Sequence, residues 1–278
     1  MEFAFTRDHA EFARSALPLL ESRIEWNLLA TVLTGMLDAV PGSPGPVLAA
    51  GVERGAVTFV AMRSPAHAML ATELPAQQAP RLVAEWLERD PELPGVGSLP
   101  GTARAIAAAW SRHTGGTTRC GMREALHSLD HVRDPPRPAQ GALRLAESRE
   151  RSLLVDWMRA FAIEAGVPDV AHAAQLIDRA LAAGGLLVWE HGGPVAFVRM
   201  QRPVSGVVRI GPVYTPPENR RRGYASAAVA AVSRLALARG ARRCMLFTDL
   251  ANPTSNKIYA EVGYVRFADW EEHAFARG

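Results

Sequence analysis

Arg220-Arg221-Arg222-Gly223-Tyr224-Ala225 is the stretch on which the reading of this chain turns. It follows an apolar, strand-like run at 207–215 and opens an amphipathic helix at 224–239. The start of a helix leaves its first backbone N–H groups without intrahelical partners and carries partial positive charge. Gly223 has no Cβ, so an anion can approach the main chain there. Three arginines add mobile positive charge. An arginine run by itself is most often a solvated loop, so the flanking sequence has to decide.

Downstream, Ala225, Ala228, Val229, Val232, Leu235 and Ala236 recur at helical spacing, and Gly240 supplies a stop. This is a helix packed on a sheet, with its N-terminus at the arginine-rich loop. Upstream, Gly211-Pro212 interrupts good β-formers. Proline cannot donate to a ladder, and glycine inside a strand marks a bulge. A bulge here splays the strand from the next one, 244–248, and frees backbone groups of Val213 and Thr215 for an amide-bearing ligand. Further on, Asn252 suits a helix N-cap and Pro253 the first helical position. Asn252, Asn256, Tyr259 and Gly263 then share one helix face, while Ile258 and Val262 share another.

Composition narrows the class. The chain has 278 residues, 48% hydrophobic and 21% charged, as a folded globular protein does. Its net charge of +3 is too small to imply nucleic acid. Of 31 basic residues only Lys257 is a lysine, so single arginines carry little weight as motifs. Cys120 and Cys244 lie far apart, which gives no disulfide framework, and the eight histidines show no metal-ligand spacing. The first residues lack the order of a signal peptide, and no apolar run approaches the roughly 18 residues of a membrane span. The expectation is a cytoplasmic protein without metal, nucleic-acid partner or membrane.

The proline-rich stretch at 131–140 marks a connector, so two lobes are expected, 1–138 and 139–278. The second predicts a strand at 143–146, helices at 149–165 and 171–183, strands at 186–190, 195–200 and 207–215, the helix at 224–239, a strand at 244–248, a helix at 253–262 and a strand at 264–275. The first predicts a helix at 17–37, a loop at 41–46, strands at 47–50, 56–62 and 66–72, helices at 76–88 and 102–113, and a strand at 117–125. That order loosely echoes the second lobe. Where the echo places a phosphate loop, however, Leu74-Pro-Ala-Gln-Gln-Ala79 has neither glycine nor arginine. Gly95-Val-Gly97-Ser-Leu-Pro-Gly101 nearly spells a dinucleotide fingerprint, but its last glycine is one position late and no strand is predicted before it, so it reads as a loop. No Gly-Lys-Ser/Thr loop and no Gly-x-Ser-x-Gly elbow occurs.

Together, the loop Arg220-Arg-Arg-Gly223-Tyr-Ala225, the preceding Val213-Tyr-Thr-Pro-Pro-Glu-Asn219 and the later Asn252-Pro-Thr-Ser-Asn256-Lys-Ile-Tyr259-Ala-Glu-Val-Gly263-Tyr264 resemble the GNAT superfamily of acyl-CoA N-acyltransferases, from about Gly141 onward. The resemblance implies an α/β (α+β) fold with a mixed, mainly antiparallel central sheet flanked by helices, and a first lobe that is a degenerate copy. It implies transfer of an acetyl group from acetyl-CoA, as cosubstrate, to a primary amine by direct attack in a ternary complex. Arg221, Arg222, Gly223, Tyr224, Ala225 and Ser226 would hold the pyrophosphate, and Val213 and Thr215 the pantetheine arm. Asn252 and Asn256 would contact that arm or the phosphates, and Tyr259 would protonate the departing thiolate. The base is open among Glu190, Glu218, Asp249 and a water chain, and Cys244 reads as a core thiol. The acceptor is a small-molecule or peptide amine, and the first lobe is expected to wall off its pocket or to form a homodimer. Rival readings are a non-catalytic CoA-sensing module and a transferase of longer acyl groups to a peptide amine.

Overall fold

The computed structural model describes residues 1–37, 45–64, 67–166 and 171–278. The chain runs β1 (Glu2–Thr6), α1 (His9–Ser22), α2 (Asn27–Leu37), β2 (Val47–Glu53), β3 (Ala56–Arg63), β4 (Met69–Ala71), α3 (Ala79–Leu87), β5 (Gly95–Ser98), α4 (Pro100–Thr114) and β6 (Thr117–Leu129). It continues through β7 (Ala142–Leu145), α5 (Arg151–Ala165), α6 (Ala173–Ala182), β8 (Leu186–Glu190), β9 (Pro194–Met200), β10 (Val207–Tyr214), α7 (Tyr224–Ala238), β11 (Arg243–Asp249), α8 (Pro253–Val262) and β12 (Val265–Ala276). The second series repeats the first: strand, two helices, three strands, helix, strand, helix, strand. Pairing repeats too. β1 to β4 and β7 to β10 are successive antiparallel neighbours, whereas β4–β5 and β10–β11 are parallel. The expected mixed, mainly antiparallel sheet flanked by helices is what the chain forms.

Two compact units result, and they are not consecutive in sequence. One contains Met1–Leu126, Asp249–Ala251 and Ala268–Gly278; the other contains His127–Thr248 and Asn252–Phe267. The first has the strand order β1-β2-β3-β4-β5-β12-β6, so most of the final strand is built into it. The second has β11-β10-β9-β8-β7. None of the described helices is long and apolar enough to cross a membrane.

In the second unit, alternation along the strands feeds two cores. Leu187, Val198, Val208 and Ile210 meet Val229, Val232 and Val262 on the α7 side. Leu186, Val188, Phe197 and Tyr214 meet Leu154, Trp157 and Ile177 on the α5–α6 side. Burying each such side chain contributes about 1.5–3 kcal/mol before entropy is counted. α8 is held at its start by the Asn252 side chain, which accepts from Ser255 N at 3.0 Å.

The first unit departs from expectation in three places. The apolar run 17–37 is two helices, not one, because Arg23 turns extended (φ −138°) and a 3-10 turn at Ile24–Trp26 buries Trp26. The N-terminal residues of β1 pair with β2, a strand too short for its pattern to stand out. The glycine-rich segment expected to be a loop contains β5, buried at all four positions. Its glycines are there for close approach: a Cβ on Gly95 would lie 2.4 Å from the His273 carbonyl oxygen in β12, and one on Gly97 would lie 3.1 Å from Trp270 Nε1. Positions 41–44 of the expected loop and Ala66 of the expected strand lie outside the described residues.

Gly95→Ala should therefore destabilise the protein by about 1–3 kcal/mol through overpacking, read as a lower melting temperature. Gly35→Ala, in α2 with nothing within 4 Å of an added Cβ, should raise it by up to about 1 kcal/mol.

Candidate functional site

The irregularity of β10 creates the site. β10 pairs with β9 through Ile210–Met200 and then Val213–Val198, so Gly211 and Pro212 together oppose the single residue Arg199. This is a bulge, as expected from the Gly-Pro pair. On its other side β10 keeps register with β11 only from Val207–Arg243 to Arg209–Met245, although both strands run further. The strands therefore splay beyond the bulge. The extra residue also changes which side chain reaches which face. Val208 and Ile210 face α7, and so does Val213, while Tyr214 reaches the α5–α6 core.

A cavity of about 1180 Å³ occupies the splay. Its wall includes Val213, Tyr214 and Thr215 of the β10 end, Arg221, Gly223, Ala225 and Ser226 at the start of α7, and Asn252 and Tyr259 of α8. Phe161 and Glu164 of α5 reach it from the other face of the sheet. Gly223 is the N-cap of α7 with φ +81°, a left-handed conformation that suits glycine, and Arg221 before it also has positive φ (64°). The first amide to bond back in α7 is that of Ala227, to Gly223 O at 3.0 Å. No side chain caps this end, which leaves the N–H groups of Tyr224, Ala225 and Ser226 without partners among the described residues.

The arginines divide. Arg220 is a strut: it pairs with Glu164 at 2.7 Å, donates Nε to Thr215 O at 2.9 Å and lies over the Tyr214 ring. Glu164 also accepts the Tyr214 hydroxyl at 3.1 Å. Burial, and then the Glu164 charge, raises the Tyr214 pKa. Arg221 and Arg222 are exposed and form no ion pair among the described residues, and only Arg221 is part of the cavity wall. The side chain of Tyr224 turns into the core, with its hydroxyl 2.7 Å from His191 Nδ1, so only its backbone faces the site.

The asparagines also divide. Asn252 is in the wall while capping α8. Asn256 is not: its Oδ1 accepts the Thr248 hydroxyl, and its Nδ2 donates to Asn252 O at 2.9 Å. Tyr259 is 9% exposed and packs edge-on against Tyr264 at 5.9 Å. Its hydroxyl has no hydrogen-bond partner among the described residues, and burial pushes its pKa up to about 12. In the same wall, Thr215 Oγ1 is buried and has no partner among the described residues. Cys244 lies in the α7-side core, where burial raises its thiol to about 11, which suits a packing role.

Glu190, Glu218 and Asp249 are all outside the cavity wall. Glu190 is bound to Arg144 at 2.7 Å, which lowers its pKa, and Asp249 accepts Ala251 N at 2.8 Å. Glu164 and Tyr214 were not picked out from the sequence. Their partners are 50 and 56 positions away, beyond any local spacing. In the first unit, ligand atoms of Cys120, Glu271 and His273 lie within 4.8 Å of one another. Arg104 already binds Glu271 bidentately at 2.6 and 2.9 Å, and Arg123 approaches it at 3.3 Å, so guanidinium charge stands where a cation would.

Residues 148–264 match the sequence profile of the Acetyltransferase (GNAT) family. No curated protein matches the chain. Among solved structures it is similar to an acetyltransferase from the GNAT family of Colwellia psychrerythraea (12% identity, 100% of each chain covered, TM-score 0.62). It is also similar to a GCN5-related N-acetyltransferase from Sphaerobacter thermophilus (14%, 98% of this chain and 95% of that one, TM-score 0.63). A tandem GNAT protein from the clavulanic acid biosynthesis pathway aligns over 99% of this chain and 98% of its own (14%, TM-score 0.59). At these identities the structures establish the fold, and the family profile matches the part of the chain that carries the cavity, residues 148–264.

Proposed function

We propose that the chain transfers an acetyl group from acetyl-CoA to a primary amine by direct attack. The observation that carries this is that the Tyr259 hydroxyl, on a residue 9% exposed, and the buried Thr215 hydroxyl share one cavity wall, neither with a hydrogen-bond partner among the described residues. The site suits the donor's parts. Three free amides at an uncapped helix start, with Arg221 beside them, suit a pyrophosphate. The opened strand near Val213 and Thr215 suits the amides of a pantetheine arm.

Acetyl-CoA supplies an activated acyl carbon. As the amine nitrogen bonds to that carbon, negative charge grows on the carbonyl oxygen, where backbone N–H groups of the β10 end would stabilise it. The C–S bond then breaks, and the thiolate takes the Tyr259 proton. A hydroxyl whose pKa is raised to about 12 keeps that proton throughout the neutral range. The amine must lose one proton, which a water chain carries off.

Tyr259→Phe should lower kcat roughly 100-fold while the CoA dissociation constant stays within about twofold. An unchanged kcat would leave the hydroxyl with no part in turnover. In the unaltered protein, kcat should rise with pH as the amine deprotonates. It should show no fall caused by Tyr259 below about pH 10, since its raised pKa keeps it protonated there. Arg221→Ala with Arg222→Ala should raise the KM for acetyl-CoA about five- to tenfold and flatten its dependence on salt, as titrations at two ionic strengths would show.

A further inference from the structure

The proline-rich connector read from the sequence at 131–140 contributes to the cavity: Pro135, Pro136 and Arg137 are part of its wall. The connector is fastened at both ends. Arg133 N donates to Val262 O at the end of α8 at 2.8 Å, and the Asp134 carboxylate pairs with Arg234 of α7. Further along, Gln140 O accepts Trp189 Nε1 of β8 at 2.9 Å. Between these ties the chain runs against the start of α7. A Cβ on Gly223 would lie 3.4 Å from the Arg137 carbonyl oxygen and 3.6 Å from Ala139 Cβ. The bare N-cap therefore lets the connector and the helix start meet.

Arg137 is exposed in this stretch, and it forms neither an ion pair nor a hydrogen bond among the described residues. The other cations of the wall divide. Arg220 is committed to Glu164 and Lys257 to Glu261, which leaves Arg137 and Arg221 beside the uncapped end of α7. Those two glutamates are the carboxylates of the wall, so an anion for Arg137 has to come with the ligand. Prolines at 135, 136 and 138 fix φ, and Arg137, preceding a proline, is biased to extended backbone. A cation on so stiff a strap loses little backbone freedom when it meets its partner. Its guanidinium offers a planar fork of donors that matches the oxygens of a phosphate.

We propose that the connector is part of the acyl-donor site and that Arg137 binds a phosphate of acetyl-CoA. This rests on the acetyl-CoA reading of the same cavity. The donor carries a pyrophosphate and a separate phosphate on its ribose, and the same charge-assisted hydrogen bonds serve either. The segment that joins the two halves of the sequence is then a binding element as well as a tether.

Calorimetric titration of CoA into the full chain, with no amine present, tests this apart from turnover. Arg137→Ala should raise the dissociation constant about five- to tenfold at low salt and flatten its dependence on ionic strength. Arg137→Lys should retain part of the affinity. Arg133→Ala removes a nearby arginine outside the cavity wall and keeps the main-chain bond to Val262, so it should bind CoA as the unaltered protein does. With no partner among the described residues, Arg137 can be replaced without lowering the melting temperature of the CoA-free protein. The same titrations with dephospho-CoA, which lacks the ribose phosphate, assign the contact. A loss that persists in Arg137→Ala marks the pyrophosphate, and a loss that disappears marks the ribose phosphate. An unchanged dissociation constant in Arg137→Ala, an equal loss in Arg133→Ala, or a lowered melting temperature in Arg137→Ala would overturn the proposal while leaving acetyl transfer standing. If CoA does not bind the unaltered protein, the donor reading itself fails and takes the proposal with it.

Discussion

One extra residue in β10 is the constraint from which the second unit's chemistry follows. Pro212 has no N–H to give a ladder, and Gly211 adopts φ +128°. With two residues set against Arg199, the registered ladder to β11 ends at Arg209–Met245 and the strands part. A regular strand would have closed the sheet and left no room between its layers. The same insertion sends Tyr214 to the α5 side, where it meets Glu164 and steadies Arg220. The opening, the helix start beside it and the tyrosine across it all depend on this slip of register.

Charge around the opening is arranged so that positive groups near the helix start remain available. Arg220 is paired with Glu164 at the surface, whereas Arg221 lines the cavity and forms no ion pair among the described residues. Tyr259 and Thr215 present hydroxyls that no neighbouring side chain uses. The Thr215 hydroxyl is fully buried, and an unsatisfied buried hydroxyl is costly unless a ligand supplies the missing partner. The apolar body of Tyr259 meanwhile remains part of the α7-side core, so function and packing share one side chain.

What could be read ahead of the structure was what local pattern encodes. Periodicity and caps placed α7 and α8 within a residue, and Gly211-Pro212 announced the bulge. Contacts distant in sequence were not readable: Glu164 with Arg220 and Tyr214, or Thr248 with the Asn256 amide. Asn256 looked available because the helix face is local information and its hydrogen-bond partner is not. β5 failed for a different reason. Its glycines signal a loop when read along the chain, but they answer to the backbone of β12 pressing on them.

The path of β12 has a consequence for how the protein comes into being. β5 pairs with β4 on one side and with Glu271–Ala274 of the last strand on the other. During synthesis most of the first unit emerges early, yet it must wait for Glu271–Ala274, made much later, before β5 gains its second neighbour. Until then a short, glycine-rich strand edge stays open, the kind of surface on which chains join to one another. The first unit is thus closed by Ala268–Gly278, a segment far along the chain from the rest of it, and neither unit is a contiguous piece that a cut in the connector would release whole.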